Sequence, residues 1–297
     1  MRFMNSVKTV LTVLKFTGRM SGKLSAMVRM SLFFRKTVAA VTRYYQGSVQ
    51  LRKNSQQCLS LLKRQSSDPT HRLTRSETLL IRTTKADLQK AIPFFTLLLL
   101  LPEALPFLVL RGSNIIPSTC LSQDQRETQR KKRMEVRMAI RKELETEMLQ
   151  SNGFQPDDLS TPETLIKLAA IQPQYFAIHS MNRRQLKMFS KYYGFAQWKP
   201  DLFLKASLNK HFAFIKQDDA MLLSDGQDVL SSLNDEELRE ATEIRGFCCV
   251  SEPTAMKDVI KEWIKLHLSE DPVMQPGLLM LYSIFKSRPF QKDVLKQ

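Results

Sequence analysis

The spacing of apolar residues along the chain predicts helices. From about residue 150 onward, apolar positions recur every three or four residues, and capping residues stand between the recurring segments. No alternation of period two competes with this pattern. The predicted helices are 162–171, 182–193, 199–211, 218–229, 234–246, 254–268 and 277–285. We therefore expect an all-α protein with a compact helical domain over residues 151–286, followed by a short tail, 287–297.

The most apolar stretch of the chain is 91–110, AIPFFTLLLLLPEALPFLVL. Its length and hydropathy predict a single transmembrane helix, broken by Pro93, Pro102 and Pro106. Glu103 is its one charge, and a carboxylate in hydrocarbon costs about 2.5–3.5 kcal/mol on insertion scales. Glu103 is therefore a candidate ion or proton site. Two other interpretations stay open: a short, broken segment with Glu103 in a polar pocket, and a buried hairpin in a soluble core.

The positive charge of the chain is concentrated before this apolar stretch. Residues 1–90 contain 18 Lys or Arg against 3 Asp or Glu, whereas residues 91–297 contain 27 against 26. No acidic residue precedes Asp68. A basic, acid-free and hydroxyl-rich segment is typical of mitochondrial targeting, although a basic tail that touches nucleic acid or a membrane surface has the same composition. We assign residues 1–43 to targeting or to membrane-surface binding, and 44–90 to a pre-membrane helical region.

A second basic cluster follows the apolar stretch, in a predicted juxtamembrane helical segment, 111–150. Eight of the 17 residues from 126 to 142 are Lys or Arg. Basic clusters beside a membrane segment favour anionic head groups such as cardiolipin, and they also attract RNA. A solvated helix face is the alternative, because glutamates interleave with the basic residues. The candidate RNA or lipid contacts are Arg130, Lys131, Lys132, Arg133 and Arg137.

Signatures of catalysis and of cofactor binding are missing from the sequence. It contains no phosphate-binding loop, no dinucleotide glycine pattern and no nucleophile elbow, and its four histidines lack metal-ligand spacing. The adjacent acidic residues at 218–219 and 235–237 are interpreted as charges at helix N-termini. We expect no enzymatic activity, no cofactor, no small-molecule substrate and no metal site.

Several segments, taken in order, resemble the LETM family, the leucine-zipper and EF-hand transmembrane proteins of the mitochondrial inner membrane. They are LTRSETLLIRTTKADLQKAIPF at 73–94, the P-S-T tripeptide at 117–119, LNDEELREATEIRGF at 233–247 and VIKEWIKLHL at 259–268. The structural residues carried by this resemblance or by the helical pattern are Thr84, Asp87, Pro93, Phe94, Pro102, Pro117, Ser118, Thr119, Arg245, Gly246 and Trp263.

The resemblance implies one transmembrane pass and a matrix-facing helical domain that binds mitochondrial ribosomes. It also implies a part in potassium/proton or calcium/proton exchange, for which Asp87 and Glu103 are the candidate ion or proton residues. In the family the membrane carboxylate usually stands three residues after its proline, whereas Pro102 and Glu103 are adjacent here. Exchange therefore ranks last among the expected functions, and one broken helix per chain would need a homo-oligomer to enclose a pathway.

We expect a protein of the mitochondrial inner membrane with its C-terminal domain in the matrix. The first expected function is docking of a large partner, above all the mitochondrial ribosome. The second is that of a structural accessory subunit in a respiratory or ATP synthase complex, and the third is ion exchange.

Overall fold

A computed structural model describes residues 23–68, 72–100, 115–150, 155–172, 174–224, 229–248 and 252–286. All regular structure within these ranges is helical, which confirms the predicted all-α class. The chain divides into two compact units. The first contains residues 1–72 and 77–126, and the second contains residues 73–76 and 127–297.

The helices are numbered in chain order. They are α1 Lys23–Ser67, α2 Arg75–Leu100, α3 Gln123–Gln150, α4 Pro162–Ile171, α5 Arg183–Tyr192, α6 Asp201–Ser224, α7 Val229–Ser232, α8 Asp235–Ile244, α9 Pro253–His267 and α10 Pro276–Lys286. Three short 3₁₀ turns accompany them, at Ser118–Cys120, Asp158–Ser160 and Ile178–Ser180.

The core of the first unit lies between α1, α2 and the 3₁₀ turn Ser118–Cys120. The ring of Tyr44 meets that of Phe94 edge-on, with centroids 5.2 Å apart, and Ile116 and Cys120 are buried beside them. The turn approaches α1 so closely at Gly47 that a Cβ atom there would lie 2.6 Å from the Cys120 Sγ. Glycine is therefore required at this position for the turn to reach the helix.

The helix predicted to end near residue 90 continues to Leu100, with Pro93 in its interior. The leucines at 97–100 are strong helix formers, and the helix continues through them although Pro93 removes one of its hydrogen bonds.

Among the described residues, no helix has both the length and the apolar composition needed to cross a bilayer. Only residues 91–100 of the predicted span 91–110 are described, as the end of α2. Pro102, Glu103 and Pro106 lie outside the described residues. The transmembrane pass therefore stays a prediction.

The second unit is a helical body whose core is built by the apolar faces of α3 to α10. Its centre is aromatic: Phe247 meets the rings of Trp263 and Tyr282 edge-on, at 5.5 Å and 5.8 Å. Trp263 and Tyr282 are fully buried. Each large apolar side chain buried in this way contributes about 1.5–3 kcal/mol.

Helices α5 and α8 are capped at both ends. Asn182 and Asn234 form reciprocal capping boxes with the glutamine or glutamate three residues later. Gly194 and Gly246, just past the two helices, have φ angles of +80° and +98°, a region that glycine adopts without strain. At α4 the N-terminal flanking residue is Thr161, and its hydroxyl donates to the carbonyl of Asp158 and makes no capping bond to the helix.

The interpretation of residues 199–229 was wrong. Two helices were predicted, at 199–211 and 218–229, but one continuous helix, α6, runs from Asp201 to Ser224. No glycine or proline interrupts it. Asp218 and Asp219 consequently lie inside the helix and are buried, not at a helix N-terminus. The acidic residues at 235–237 do occupy the first turn of α8, as expected.

Candidate functional site

The first unit brings the pre-membrane sequence motif and the P-S-T tripeptide together at Asp87. The Asp87 Oδ1 accepts a hydrogen bond of 2.8 Å from the Ser118 backbone N–H. The Oδ2 accepts bonds from the Ser118 hydroxyl at 2.6 Å and from the Thr119 N–H at 3.3 Å. Pro117 precedes the turn as its N-terminal flanking residue. Asp87 thus ties α2 to the turn that follows the 101–114 segment.

These contacts bear on the candidate ion or proton role of Asp87. Its side chain is buried, and both carboxylate oxygens are occupied by donors of a turn that lies about 30 residues further along the chain. This is the geometry of a structural clamp between α2 and the turn Ser118–Cys120. On the same helix, Thr84 and Phe94 are buried as well, so the motif residues face the core of the unit.

The second unit contains a buried ionic cluster centred on Asp219. The Asp219 carboxylate accepts hydrogen bonds from the Arg245 Nε at 3.0 Å and the Trp263 Nε1 at 2.9 Å. The His267 Nδ1 lies 2.6 Å from its Oδ2. We call the set formed by Arg75, Asp218, Asp219, Arg245, Trp263 and His267 the Asp219 cluster.

Asp218 extends the cluster to a second arginine. It accepts from the Arg245 Nη2 at 2.7 Å and from the Arg75 Nε at 2.7 Å. Arg245 also donates to the carbonyl of Ala241, at 2.8 Å. Two carboxylates therefore face two guanidinium groups, and within the second unit the cluster joins Arg75 to α6, α8 and α9.

Electrostatics keeps Asp219 ionised in spite of its burial. Desolvation alone would raise its pKa, but the positive charge of Arg245 and the hydrogen bond from His267 outweigh it, so the pKa of Asp219 lies below its ordinary value. Desolvation likewise opposes the charge of Arg245, and the two carboxylates overcome it and raise the pKa of Arg245. The cluster is thus a compensated set of charges that can hold helices in register.

The sequence had assigned Arg245, Gly246 and Trp263 to structural positions without their partners. Asp219 and His267 were missed. The available signals were an aspartate pair inside an apolar helical pattern and the spacing of Trp263 and His267, which are one helical turn apart on α9.

The basic residues of α3 fall into two groups. Arg137 is buried and donates to the carbonyls of Tyr192, Glu243 and Phe247, at 3.2, 2.9 and 3.4 Å. Arg130 is largely covered and forms ion pairs with Glu236 and Glu243. The contacts of Arg137 argue against its binding RNA or lipid, because its donors are used inside the protein.

The second group is exposed and continues onto a neighbouring helix. Lys131 and Lys132 of α3 are exposed, as are Lys187 and Lys191 of α5. Arg133 is also exposed, although it pairs with Glu243. We call the four exposed residues Lys131, Lys132, Lys187 and Lys191 the α3–α5 lysines.

Side-chain contacts join the two helices. Arg184 of α5 forms ion pairs with Glu143 and Glu147 of α3, and Arg137 of α3 reaches the Tyr192 carbonyl of α5. The α5 contribution was missed from the sequence. Its signal was the i, i+4, i+8 spacing of Arg183, Lys187 and Lys191 opposite an apolar face.

Within the described ranges, no group of three or more His, Cys, Asp or Glu side chains is arranged to hold a metal ion.

Comparison with known proteins assigns this architecture to a family. A family model described as LETM1-like, RBD matches residues 73–285, which is well over half of the chain. A curated relative, the LETM1 domain-containing protein YLH47, mitochondrial, of Saccharomyces cerevisiae, is 25% identical over 262 residues. The alignment covers 79% of this chain and 55% of that protein, so the chain spans about half the length of the relative it matches. The expected resemblance is confirmed: the chain belongs to the LETM1-like family.

Proposed function

We propose that this protein is held in the mitochondrial inner membrane and that its helical body docks the mitochondrial ribosome from the matrix side. The family match to a ribosome-binding domain and the mitochondrial relative support a mitochondrial LETM-type role. The specific parts of the proposal are the ribosome as the docking partner and the anchorage in the inner membrane.

The observation that carries the docking proposal is the set of α3–α5 lysines. Helix α5 has four basic residues and no acidic residue, and its lysines are exposed. Ribosomal RNA presents closely spaced phosphates, and lysines that neutralise them release counterions, which favours binding at low salt. Two neighbouring helices with exposed lysines offer such contacts over a longer line than either helix alone.

The buried arginines support the same proposal indirectly. Arg137 fixes α3 against α5 and α8 through three carbonyls, and Arg130 ties α3 to acidic side chains of α8. The α3–α5 lysines therefore lie on helices that these arginine contacts hold in place. A preorganised surface loses less conformational entropy on binding than a mobile one.

The apolar stretch 91–110 supports the membrane part of the proposal. It is 20 residues long with one charge, and Ile92, Leu99 and Leu100, at the end of α2, are exposed apolar side chains. Because Asp87 is hydrogen-bonded to Ser118, the two ends of the stretch lie on one side of the membrane in this proposal, so the stretch inserts from that side and does not cross. The basic segment 1–43 then serves in targeting, or in contact with anionic lipid such as cardiolipin.

Two experiments test the two parts separately. Alkaline carbonate extraction of mitochondria should leave the full chain in the membrane pellet, and its release into the supernatant would refute the anchor. Detergent-solubilised full chain should co-sediment with mitochondrial ribosomes at low salt and dissociate as salt rises. No co-sedimentation at low salt would refute ribosome docking.

A further inference from the structure

Helix α6 is apolar on the side that packs into the protein and also on the side that faces solvent. Its inner side buries Leu204, Leu208, Phe212, Ile215 and Leu222. A surface helix of a globular protein normally opposes a charged face to its apolar one. The outer side of α6 departs from this rule, because its polar and charged residues are confined to 209–210 and 216–217 and the others are apolar.

The exposed residues of α6 between 202 and 223 include no acidic side chain. They are Leu202, Phe203, Ala206, Asn209, Lys210, Ala213, Lys216, Gln217, Ala220 and Leu223. The two aspartates of this segment, Asp218 and Asp219, point into the protein and are neutralised there. The outer face is therefore apolar with a positive charge from two lysines.

The N-terminal end of this face is the most apolar part. Leu202 is 76% exposed and Phe203 is 58% exposed, and Trp198, three residues before the helix, is 81% exposed. The one acidic residue nearby, Asp201, forms an ion pair with Arg183. We call Trp198, Leu202, Phe203, Lys210 and Lys216 the α6 patch.

We propose that the α6 patch binds the surface of an anionic lipid bilayer, with Trp198, Leu202 and Phe203 entering the head-group region and Lys210 and Lys216 contacting lipid phosphates. Tryptophan, phenylalanine and leucine beside lysine form the composition with which helices lie in a membrane interface. This inference is independent of ribosome docking, which uses the α3–α5 lysines.

The composition of the patch favours lipid over the other anionic or apolar partners. RNA binding draws most of its affinity from many cationic contacts, and aliphatic side chains such as Leu202 offer a base neither stacking nor charge. A second copy of the chain would bring lysines against lysines, which disfavours a symmetric contact. An anionic bilayer satisfies both the apolar end and the basic remainder of the face.

The two tryptophans of the chain provide the assay. Trp198 is exposed and Trp263 is fully buried, so a change in solvent access on binding reports on Trp198. The full chain would be reconstituted in nanodiscs of phosphatidylcholine alone or with cardiolipin. Quenching by acrylamide, a neutral quencher that the lipid charge does not repel, measures access from water, and quenching by lipids brominated on their acyl chains measures insertion. The Trp198→Phe variant sets the background of Trp263.

In cardiolipin discs, Trp198 should be protected from acrylamide and quenched by brominated lipid, and in phosphatidylcholine discs acrylamide should reach it. Leu202→Asp should weaken the association about tenfold, because burial of a leucine side chain is replaced by a charge. The double variant Lys210→Glu with Lys216→Glu should also leave Trp198 accessible from water in cardiolipin discs. Because both lysines are exposed, this variant still tests the proposal if Leu202→Asp misfolds. Ile171→Asp, at a residue of α4 that is 74% exposed, is the matched control and should change nothing.

Three results would overturn the proposal. One is equal access of acrylamide to Trp198 in both kinds of disc. Another is protection that depends on added ribosomal RNA, with no quenching by brominated lipid, which would make the patch a nucleic-acid surface. The third is protection that rises with protein concentration and not with cardiolipin, which would indicate a contact between copies of the chain.

Discussion

The Asp219 cluster and the α3–α5 lysines are two charged regions of the helical body with opposite environments. In the cluster, Arg245 and Asp219 are fully buried and compensate each other, so their charges hold helices together. The lysines of α3 and α5 are exposed, so their charges remain available to a partner. Burial and pairing, rather than the number of charges, therefore separate structural from binding residues.

The largest effect is expected when a charge of the Asp219 cluster loses its partner. Arg245→Met leaves two carboxylates buried without compensation and should lower the free energy of unfolding by about 3–5 kcal/mol. Arg184→Met makes the same substitution at an exposed arginine and should leave the free energy of unfolding nearly unchanged. Urea unfolding followed by circular dichroism measures both, and equal effects would contradict the comparison.

Arg137 should behave like the cluster, although it belongs to the same basic run as the lysines. Arg137→Met removes the donors of three carbonyls and should lower the free energy of unfolding by about 2–3 kcal/mol. The same unfolding assay applies. If the variant were as stable as the wild type but bound ribosomes less well, Arg137 would belong with the exposed lysines.

Asp87 extends the comparison to the first unit. Asp87→Asn keeps the size of the side chain but replaces one acceptor oxygen with a donor, so the bonds from Ser118 and Thr119 cannot all form. A loss of about 1–2 kcal/mol in the local opening free energy of residues 115–121 is expected. Hydrogen exchange of these amides measures it. Unchanged protection would contradict the clamp.

Acid should weaken the Asp219 cluster, with a smaller effect than the substitutions above. The pKa of Asp219 is lower in the folded protein than in the unfolded chain, so its contribution is complete above the ordinary carboxyl pKa of about 4. The contribution is lost as pH falls through the lower, folded value. Unfolding measured between about pH 5 and 3 should show a shallower loss in Asp219→Asn than in the wild type. Parallel curves would contradict this.

The smallest effect on stability is expected at the α3–α5 lysines. Replacing all four with glutamine should leave the free energy of unfolding within about 0.5 kcal/mol for each substitution, because surface changes away from special contacts are nearly neutral. A cooperative loss of several kcal/mol would show that these lysines are structural.

The sequence predicted well those helices whose two faces differ. For α5, α8 and α9, capping residues and a clear apolar stripe agree, and the predicted bounds lie within about two residues of those observed. Helix α6 was divided wrongly because apolar residues lie on both of its faces, and because two aspartates in a helix interior resemble charges at a helix start.

The partners of the charged residues could not be predicted in the same way. The bonds of Asp87 to Ser118 and of Asp219 to Arg245 join residues about 30 positions apart, and they depend on how helices pack. The sequence could, however, have predicted that Arg137 is buried whereas Lys131 and Lys132 are exposed. Arg137 lies one helical turn before the buried Ile140, so the phase of the helix already places it toward the core.

The central claim is that exposed lysines of the helical body, and not its buried arginines, bind ribosomal RNA. Its most direct test is a salt series of co-sedimentation with mitochondrial ribosomes, in which the full chain is compared with the variant that has glutamine at positions 131, 132, 187 and 191. Lys167→Gln with Lys265→Gln, two exposed lysines on other helices, is the control.

The wild type and the control should show the same steep fall of affinity with salt. The four-lysine variant should bind more weakly at low salt, and the slope of its affinity against salt on logarithmic scales should be smaller by about 0.7 for each lost phosphate contact. The same affinity and slope for all three proteins would contradict the account.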